Sequence, residues 1–205
     1  MFAQRDQRNN VVPVEPLVAD NTEFALALYQ KLRPQPGNLF FSPYSIATAL
    51  AMTYAGARGR TAVQMAQALR FHLNPPKLHA AFAHLEGTIN SISDRGQAQL
   101  NVANALYPQQ GYPFLPDYLA LVAAYYDATI TAVDYRNAAA ARQLINNWVE
   151  EKTAQKIQDL IPSGLLNDLT TLVLVNAISF KGNWASQFSP RRTADAPFWL
   201  GAAQS

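Results

Sequence analysis

The chain has 205 residues, of which 49% are apolar and 15% are charged, and its formal net charge is +2. The apolar fraction excludes a disordered polypeptide and predicts a sizeable core. The charged fraction lies below the roughly 25% of an average soluble domain, which fits either a piece of a larger body or an Ala-rich soluble domain. The basic residues are scattered along the chain, so no nucleic-acid partner is indicated.

No cysteine occurs, which excludes disulfides, zinc-thiolate sites and thiol catalysis and leaves the redox compartment open. Residues 1–10 are polar and charged and show no signal peptide. No run approaches the roughly 18 apolar residues that a membrane span needs. We therefore expect a soluble chain without a membrane partner.

The N-terminal segment predicts a flexible leader over residues 1–16 and one domain over residues 17–205, because no internal repeat or low-complexity linker divides the rest. Asp20 with Glu23 resembles a capping box and predicts the start of the first helix. Pro34 predicts its end.

Residues 38–41 predict a short apolar strand, and a helix start follows directly. Ser42 supplies a capping hydroxyl and Pro43 suits the first helical position, while Gly56 predicts the helix end. A third helix is predicted over about 61–69.

A fourth helix follows two prolines and carries an apolar face that predicts either core packing or a partner-binding surface. The residues of that face are Leu78, Phe82, Leu85, Ile89 and Ile92.

The rest of the chain alternates between strand and helix patterns. The predicted elements are a strand over 97–106, a helix over 116–126, a strand over 129–133 and an amphipathic helix with Leu144, Ile145, Trp148 and Val149. The nearly continuous apolar run over 170–180 predicts a strand covered on both faces at the centre of a sheet.

Tests for catalytic or metal-binding motifs are negative, so we predict no enzyme, no metal site and no cofactor. His79 and His84 are five residues apart, whereas a zinc helix needs a separation of four, so both are interpreted as surface residues. No nucleophile elbow and no motif with paired carboxylates occurs. Asn176 in the apolar run requires a partner, because burying an unpaired amide costs roughly 2 to 7 kcal/mol in transfer terms.

Two blocks of sequence resemble the serpin family. Residues 38–61 read NLFFSPYSIATALAMTYAGARGRT and resemble the family signature in its second and third helices. Residues 145–149 (INNWV) and 173–184 (VLVNAISFKGNW) resemble the sixth helix and the third strand of sheet A. The resemblance runs from about residue 20 to the end, with departures at Gln155 and Ser179.

The resemblance implies an α+β fold, namely the N-terminal half of a serpin, with a helical cluster packed on part of the large sheet A. It implies a chain that ends before the reactive centre loop. A serpin inhibits a serine protease as a suicide substrate: the cleaved loop enters sheet A as a new strand, and serpin loop insertion is itself an established example of strand addition. The extracellular space is the implied location.

The resemblance also implies roles for individual residues. The shutter would comprise Ser42, Pro43, Ser45 and Asn176, the breach would contain Trp184, and the edge of sheet A that receives the loop would contain Val173, Val175, Ala177 and Phe180. Asn176 would find its partner on a strand outside this chain. The basic residues of the fourth helix are only Lys77 and two histidines, so no glycosaminoglycan site is indicated.

The implied partners are a target serine protease, bound through the absent loop, and the C-terminal remainder of the serpin. Two alternatives stay open: a non-inhibitory serpin acting as a carrier, chaperone or scaffold, and a fragment that works alone as an interaction module.

Overall fold

The computed structural model describes residues 13–94 and 98–197, with the side chains of 92–94 and 98–101 left undescribed. The helices are α1 (Glu15–Leu32), α2 (Pro43–Gly56), α3 (Gly59–Leu69), α4 (Pro75–Asp94), α5 (Pro116–Tyr126) and α6 (Ala138–Lys152). The strands are β1 (Ala98–Pro108), β2 (Thr129–Ile130) and β3 (Leu172–Gly182). Short 3₁₀ turns lie at Tyr135–Asn137 and Pro190–Arg192.

The three strands form one mixed sheet in the order β2-β1-β3. Strands β1 and β3 run antiparallel along their full length, from Ala98 opposite Gly182 to Pro108 opposite Leu172. Strand β2 is parallel to β1 and contributes two residue pairs. The long β1–β3 ladder is therefore the main frame of the sheet.

Helices cover both faces of this sheet. Leu106 and Leu174 face the core formed by α1 to α5. Ala105, Tyr107 and Val175 point the other way, because side chains alternate along a strand, and pack against α6. The sheet is thus the middle layer between a five-helix cluster and a single helix, which fits the predicted α+β class.

Local chemistry predicted the bounds of α2 and α5 well. Ser42 caps α2 with its hydroxyl, Pro43 occupies the first helical position and the helix ends at Gly56, as expected. Helix α5 spans the predicted residues. Strand β3 is shifted two residues toward the C-terminus of the predicted range.

The predicted start of α1 is wrong. The helix begins at Glu15, inside the predicted leader, with Pro16 in its first turn; residues 1–12 of that leader lie outside the described residues. Asp20 is a buried mid-helix residue whose carboxylate accepts a hydrogen bond from the backbone N–H of His72 at 2.9 Å. A distant contact therefore uses the carboxylate that the local pattern assigned to a cap.

The predicted strand over 38–41 is also wrong. This segment has no regular structure, and Phe40 is 98% exposed. A strand needs a neighbour for its hydrogen bonds, and none of the described strands pairs with these residues. Strand β2 is shorter than expected, although Val133 still forms an isolated bridge with Gln109.

Candidate functional site: the edge of β3 and the polar cluster beside it

Among the described strands, β3 is paired along one side only. Its neighbour is β1, and no other strand within residues 13–94 and 98–197 pairs with its second side. The prediction of a central strand is therefore wrong for the described chain. The apolar pattern was misleading because helices cover both faces of β3, burying Val175 and Ala177 although the strand lies at the sheet edge.

The residues predicted for the loop-accepting edge divide between the two faces of the sheet. Val173, Val175 and Ala177 alternate onto one face, where the first two pack with the core beneath α6. Phe180 lies on the opposite face, in step with Leu174, and is 71% exposed. The four side chains therefore cannot contact one inserted strand in the same way.

The predicted shutter residues of α2 lie at the start of that helix, which packs against β3. The Ser42 hydroxyl accepts a hydrogen bond from the Ser45 N–H at 3.3 Å. The Ser45 hydroxyl is buried and has no hydrogen-bond partner among the described residues. No hydrogen bond in this part of the chain joins either serine to Asn176, which the structure connects to a different set of residues.

Asn176 finds its partner within this chain. Its Nδ2 donates to Oδ1 of Asn104, the residue directly opposite on β1, at 2.7 Å. The expectation of a partner on a strand outside this chain is therefore wrong. Asn104 is 2% exposed, and its own Nδ2 donates to Oε1 of Glu86 and to the backbone carbonyl of Tyr126, each at 3.0 Å.

Glu86 places a carboxyl group inside this arrangement. It lies on α4 and is 5% exposed. Burial, and then the negative charge of Asp127, raise the pKa of Glu86 to about 7. Burial, assisted by the nearby Glu86, also raises the pKa of Tyr44 and of Tyr126. We call Tyr44, Glu86, Asn104, Tyr126 and Asn176 the Asn176 cluster.

His79 borders this cluster, contrary to the expectation of a surface histidine. It is 3% exposed, and its Nδ1 lies 2.6 Å from the Tyr126 hydroxyl. Burial lowers the pKa of His79 to about 4. His84 is exposed as expected. The helical positions 79, 82 and 86 share a face, and this spacing was the available sign that His79 and Glu86 point inward with Phe82.

Trp184, the predicted breach residue, lies two residues beyond β3. It is 71% exposed and packs edge to face on Phe188, with ring centroids 5.6 Å apart. Phe188 is 74% exposed. Exposed aromatic side chains therefore continue past the C-terminal end of β3.

Metal-binding groups and membrane-spanning helices are both absent from the described part of the chain. No group of three or more His, Cys, Asp or Glu residues within it could hold a metal ion. None of its helices is both long and apolar enough to cross a membrane.

Fold and site together define an α+β protein with a two-sided helical cover and a long sheet edge beside a buried polar cluster. The profile of the family described as Serpin (serine protease inhibitor) matches residues 19–205. The chain belongs to the serpin family, as the sequence resemblance implied.

Individual relatives agree with this assignment. Leukocyte elastase inhibitor of Bos taurus is 43% identical over 195 residues, which are 94% of this chain and 51% of the relative. Emu ovalbumin superposes with a TM-score of 0.85 at 31% identity, covering 92% of this chain and 52% of that structure. Reactive-loop-cleaved human thyroxine binding globulin gives a TM-score of 0.82 at 33% identity, covering 91% and 56%. The chain spans about half the length of the relatives it matches.

Proposed function

We propose that the protein containing this chain is a serine protease inhibitor that traps its target by accepting the cleaved reactive loop as a strand beside β3. The observation that carries the proposal is the 11-residue strand β3, which is paired on one side only among the described residues, in a chain of the serpin family. An entering strand would satisfy the N–H and C=O groups along that side.

Within this mechanism, Ser42, Pro43, Ser45 and Asn176 are proposed as the shutter that controls separation of the sheet. The support is the packing of α2 on β3 and the hydrogen bond from Asn176 across to β1. Trp184, directly beyond β3, is proposed for the breach.

The residues Val173, Val175 and Ala177 are proposed to flank the entering strand on the α6 side of the sheet, and Phe180 on the other side. The reactive loop and the rest of sheet A are proposed to lie in the half of the family fold that this chain does not span.

The experiment is incubation of the full-length protein with a panel of serine proteases, including leukocyte elastase because the bovine relative bears that name. A trapped acyl-enzyme is covalent, so a complex that survives denaturing electrophoresis is expected with at least one protease. The matched control is the same protease with its nucleophilic serine replaced by alanine, which should form no such complex. Failure with every protease would overturn the inhibitory function.

A second candidate is a non-inhibitory serpin acting as a carrier. The similarity to thyroxine binding globulin favours it, since that relative has the same architecture in this half of the fold and its name describes ligand binding. A protein that is cleaved in its loop by proteases without retaining any of them would support this second function.

A further inference from the structure

Two buried side chains and one half-buried side chain form a bridge from a helix to the edge strand. Glu86 on α4 accepts from Asn104 on β1 at 3.0 Å, and Asn104 accepts from Asn176 on β3 at 2.7 Å. Glu86 and Asn104 are 5% and 2% exposed. Buried hydrogen bonds of this kind are costly to leave unmade, so α4, β1 and β3 are connected through polar groups as well as apolar packing.

The direction of each hydrogen bond in the bridge is determined by one backbone carbonyl. The Tyr126 carbonyl can only accept, so the amide nitrogen of Asn104 must face it. Both hydrogens of that nitrogen are then used, one by Tyr126 and one by Glu86. The Asn104 oxygen consequently faces β3, and Asn176 must present its own amide nitrogen. Glu86 is the one member of the bridge that can change its charge.

We propose that Glu86 is a positioning residue for strand β3: in its protonated form it holds Asn104 and thereby Asn176, and its ionisation favours release of the bridge and of the edge strand. The inference rests on the proposed function, because β3 is the strand beside which the cleaved loop is proposed to insert.

The physical basis is the cost of burying a carboxylate. We call the state with the intact bridge closed and the state in which water reaches Glu86 open. Burial and the charge of Asp127 raise the pKa of Glu86 from 4.5 to about 7 in the closed state. In a state in which water reaches Glu86, the pKa returns toward its ordinary value. As pH rises from about 4.5 to 7, the closed state holds more protons than the open one, so opening becomes more favourable, by up to about tenfold per pH unit. Above about pH 7, Glu86 is ionised in both states, and the opening equilibrium no longer changes with pH.

The groups that face Glu86 leave it as the titrating member near neutral pH. The hydroxyls of Tyr44 and Tyr126 have raised pKa values and stay neutral. His79, which contacts Tyr126, titrates toward pH 4 and influences stability in the opposite sense. The amides of the bridge carry no charge. The facing groups are Tyr44 on α2, His79 on α4, Tyr126 and Asp127 on and just after α5, Asn104 on β1 and Asn176 on β3.

The test is amide hydrogen exchange of residues 172–182 in the full-length protein, corrected for intrinsic exchange, at half-unit steps from pH 5 to pH 8. The wild type is compared with Glu86→Gln, which keeps the acceptor oxygen for Asn104 without the charge. The ratio of wild-type to variant exchange is expected to rise more than tenfold from pH 5 to pH 7 and to level off above. Taking the ratio cancels the titration of His79. Glu151→Gln on α6, which removes an exposed carboxylate, should reproduce the wild-type profile.

A second variant works without altering the bridge. Asp127 is exposed and adopts a left-handed conformation with φ of 45°, which asparagine tolerates well. Asp127→Asn removes the negative charge that helps to raise the pKa of Glu86. The exchange of β3 should therefore level off at a lower pH in this variant than in the wild type. The inference would be overturned if the ratio of wild-type to Glu86→Gln exchange did not change with pH. It would also be overturned if neither variant changed the pH profile of β3 exchange. If Glu86→Gln does not fold, the shift in Asp127→Asn decides alone.

The outcome is separable from that of the proposed function. Suppose that the exchange of β3 depends on pH and requires Glu86, but that the protein traps no protease. This result would support the inference and reject the proposed inhibitory function. Trapped complexes combined with β3 exchange independent of Glu86 would do the reverse.

Discussion

At the residue scale, the buried polar side chains show how far sequence reasoning extends. The sequence required a partner for Asn176, because a buried amide cannot remain unpaired at low cost. It could not identify Asn104, which lies 72 positions earlier and meets Asn176 only when β1 and β3 align. The burial of His79 and Glu86 likewise follows from how α4 docks on α5 and β1.

His79 should make the protein sensitive to acid. Its pKa is lowered to about 4, so the unfolded state binds a proton more readily and stability falls as pH drops from about 6.5 toward 4. We compare the free energy of unfolding of the wild type with that of His79→Gln. Lowering the pH from 7 to 4.5 should destabilise the wild type relative to the variant by about 2 to 3 kcal/mol.

Urea titrations at the two pH values measure this difference in the full-length protein. His84→Gln, an exposed histidine on the same helix, should show no such decrease. Equal pH dependence in wild type and His79→Gln would contradict the assignment of His79 as a buried neutral base.

At the element scale, helices that carry their own start and stop signals were predicted closely, and elements that depend on a neighbour were not. Helix α2 has the cap and the proline that define its first turn. The segment 38–41 has an equally apolar pattern but meets no neighbouring strand in the described chain. Helix propensity is a local property, whereas a strand depends on its ladder.

Helix α6 is joined to the segment that follows it through Asn146. This side chain is 2% exposed, accepts from the Ile161 N–H at 2.9 Å and donates to the Ile161 carbonyl at 3.0 Å. Asn146→Ala leaves two backbone groups of a buried residue unpaired, so a loss of about 2 to 4 kcal/mol in unfolding free energy is expected.

Denaturant unfolding, with hydrogen exchange of residues 153–161, measures this loss. The neighbouring Asn147 is exposed, so Asn147→Ala is the matched control and should change stability by less than about 0.5 kcal/mol. Similar losses in the two variants would show that Asn146 does not hold this segment.

At the scale of the whole molecule, the side of β3 that pairs with no other described strand determines how the chain associates. The ladder with β1 satisfies half of its hydrogen-bonding groups, and Phe180 adds an exposed aromatic ring near its end. A long apolar edge of this kind pairs readily with another strand, whether that strand comes from the same protein or from a second copy.

The 205-residue chain expressed by itself should therefore self-associate. Phe180→Lys places a charge on the edge strand and is expected to lower the associated fraction several-fold, because charges on edge strands oppose pairing. Phe188→Lys changes an equally exposed ring outside the strand and should have little effect. Sedimentation velocity over a concentration series measures the result; a chain that stays monomeric throughout would contradict this role for β3.

The sequence by itself determined most helix bounds and the existence of β1 and β3, because caps, prolines and apolar periodicity act over a few residues. Its resemblance to the serpin family indicated the family and the α+β class. Only the tertiary structure decided that β3 is the edge of the described sheet, that Phe180 lies on the opposite face from Val175, and that Asn176 connects through Asn104 to Glu86. Those features depend on which distant segments meet, and the free energy that selects such meetings comes from burial and hydrogen bonding across the whole chain.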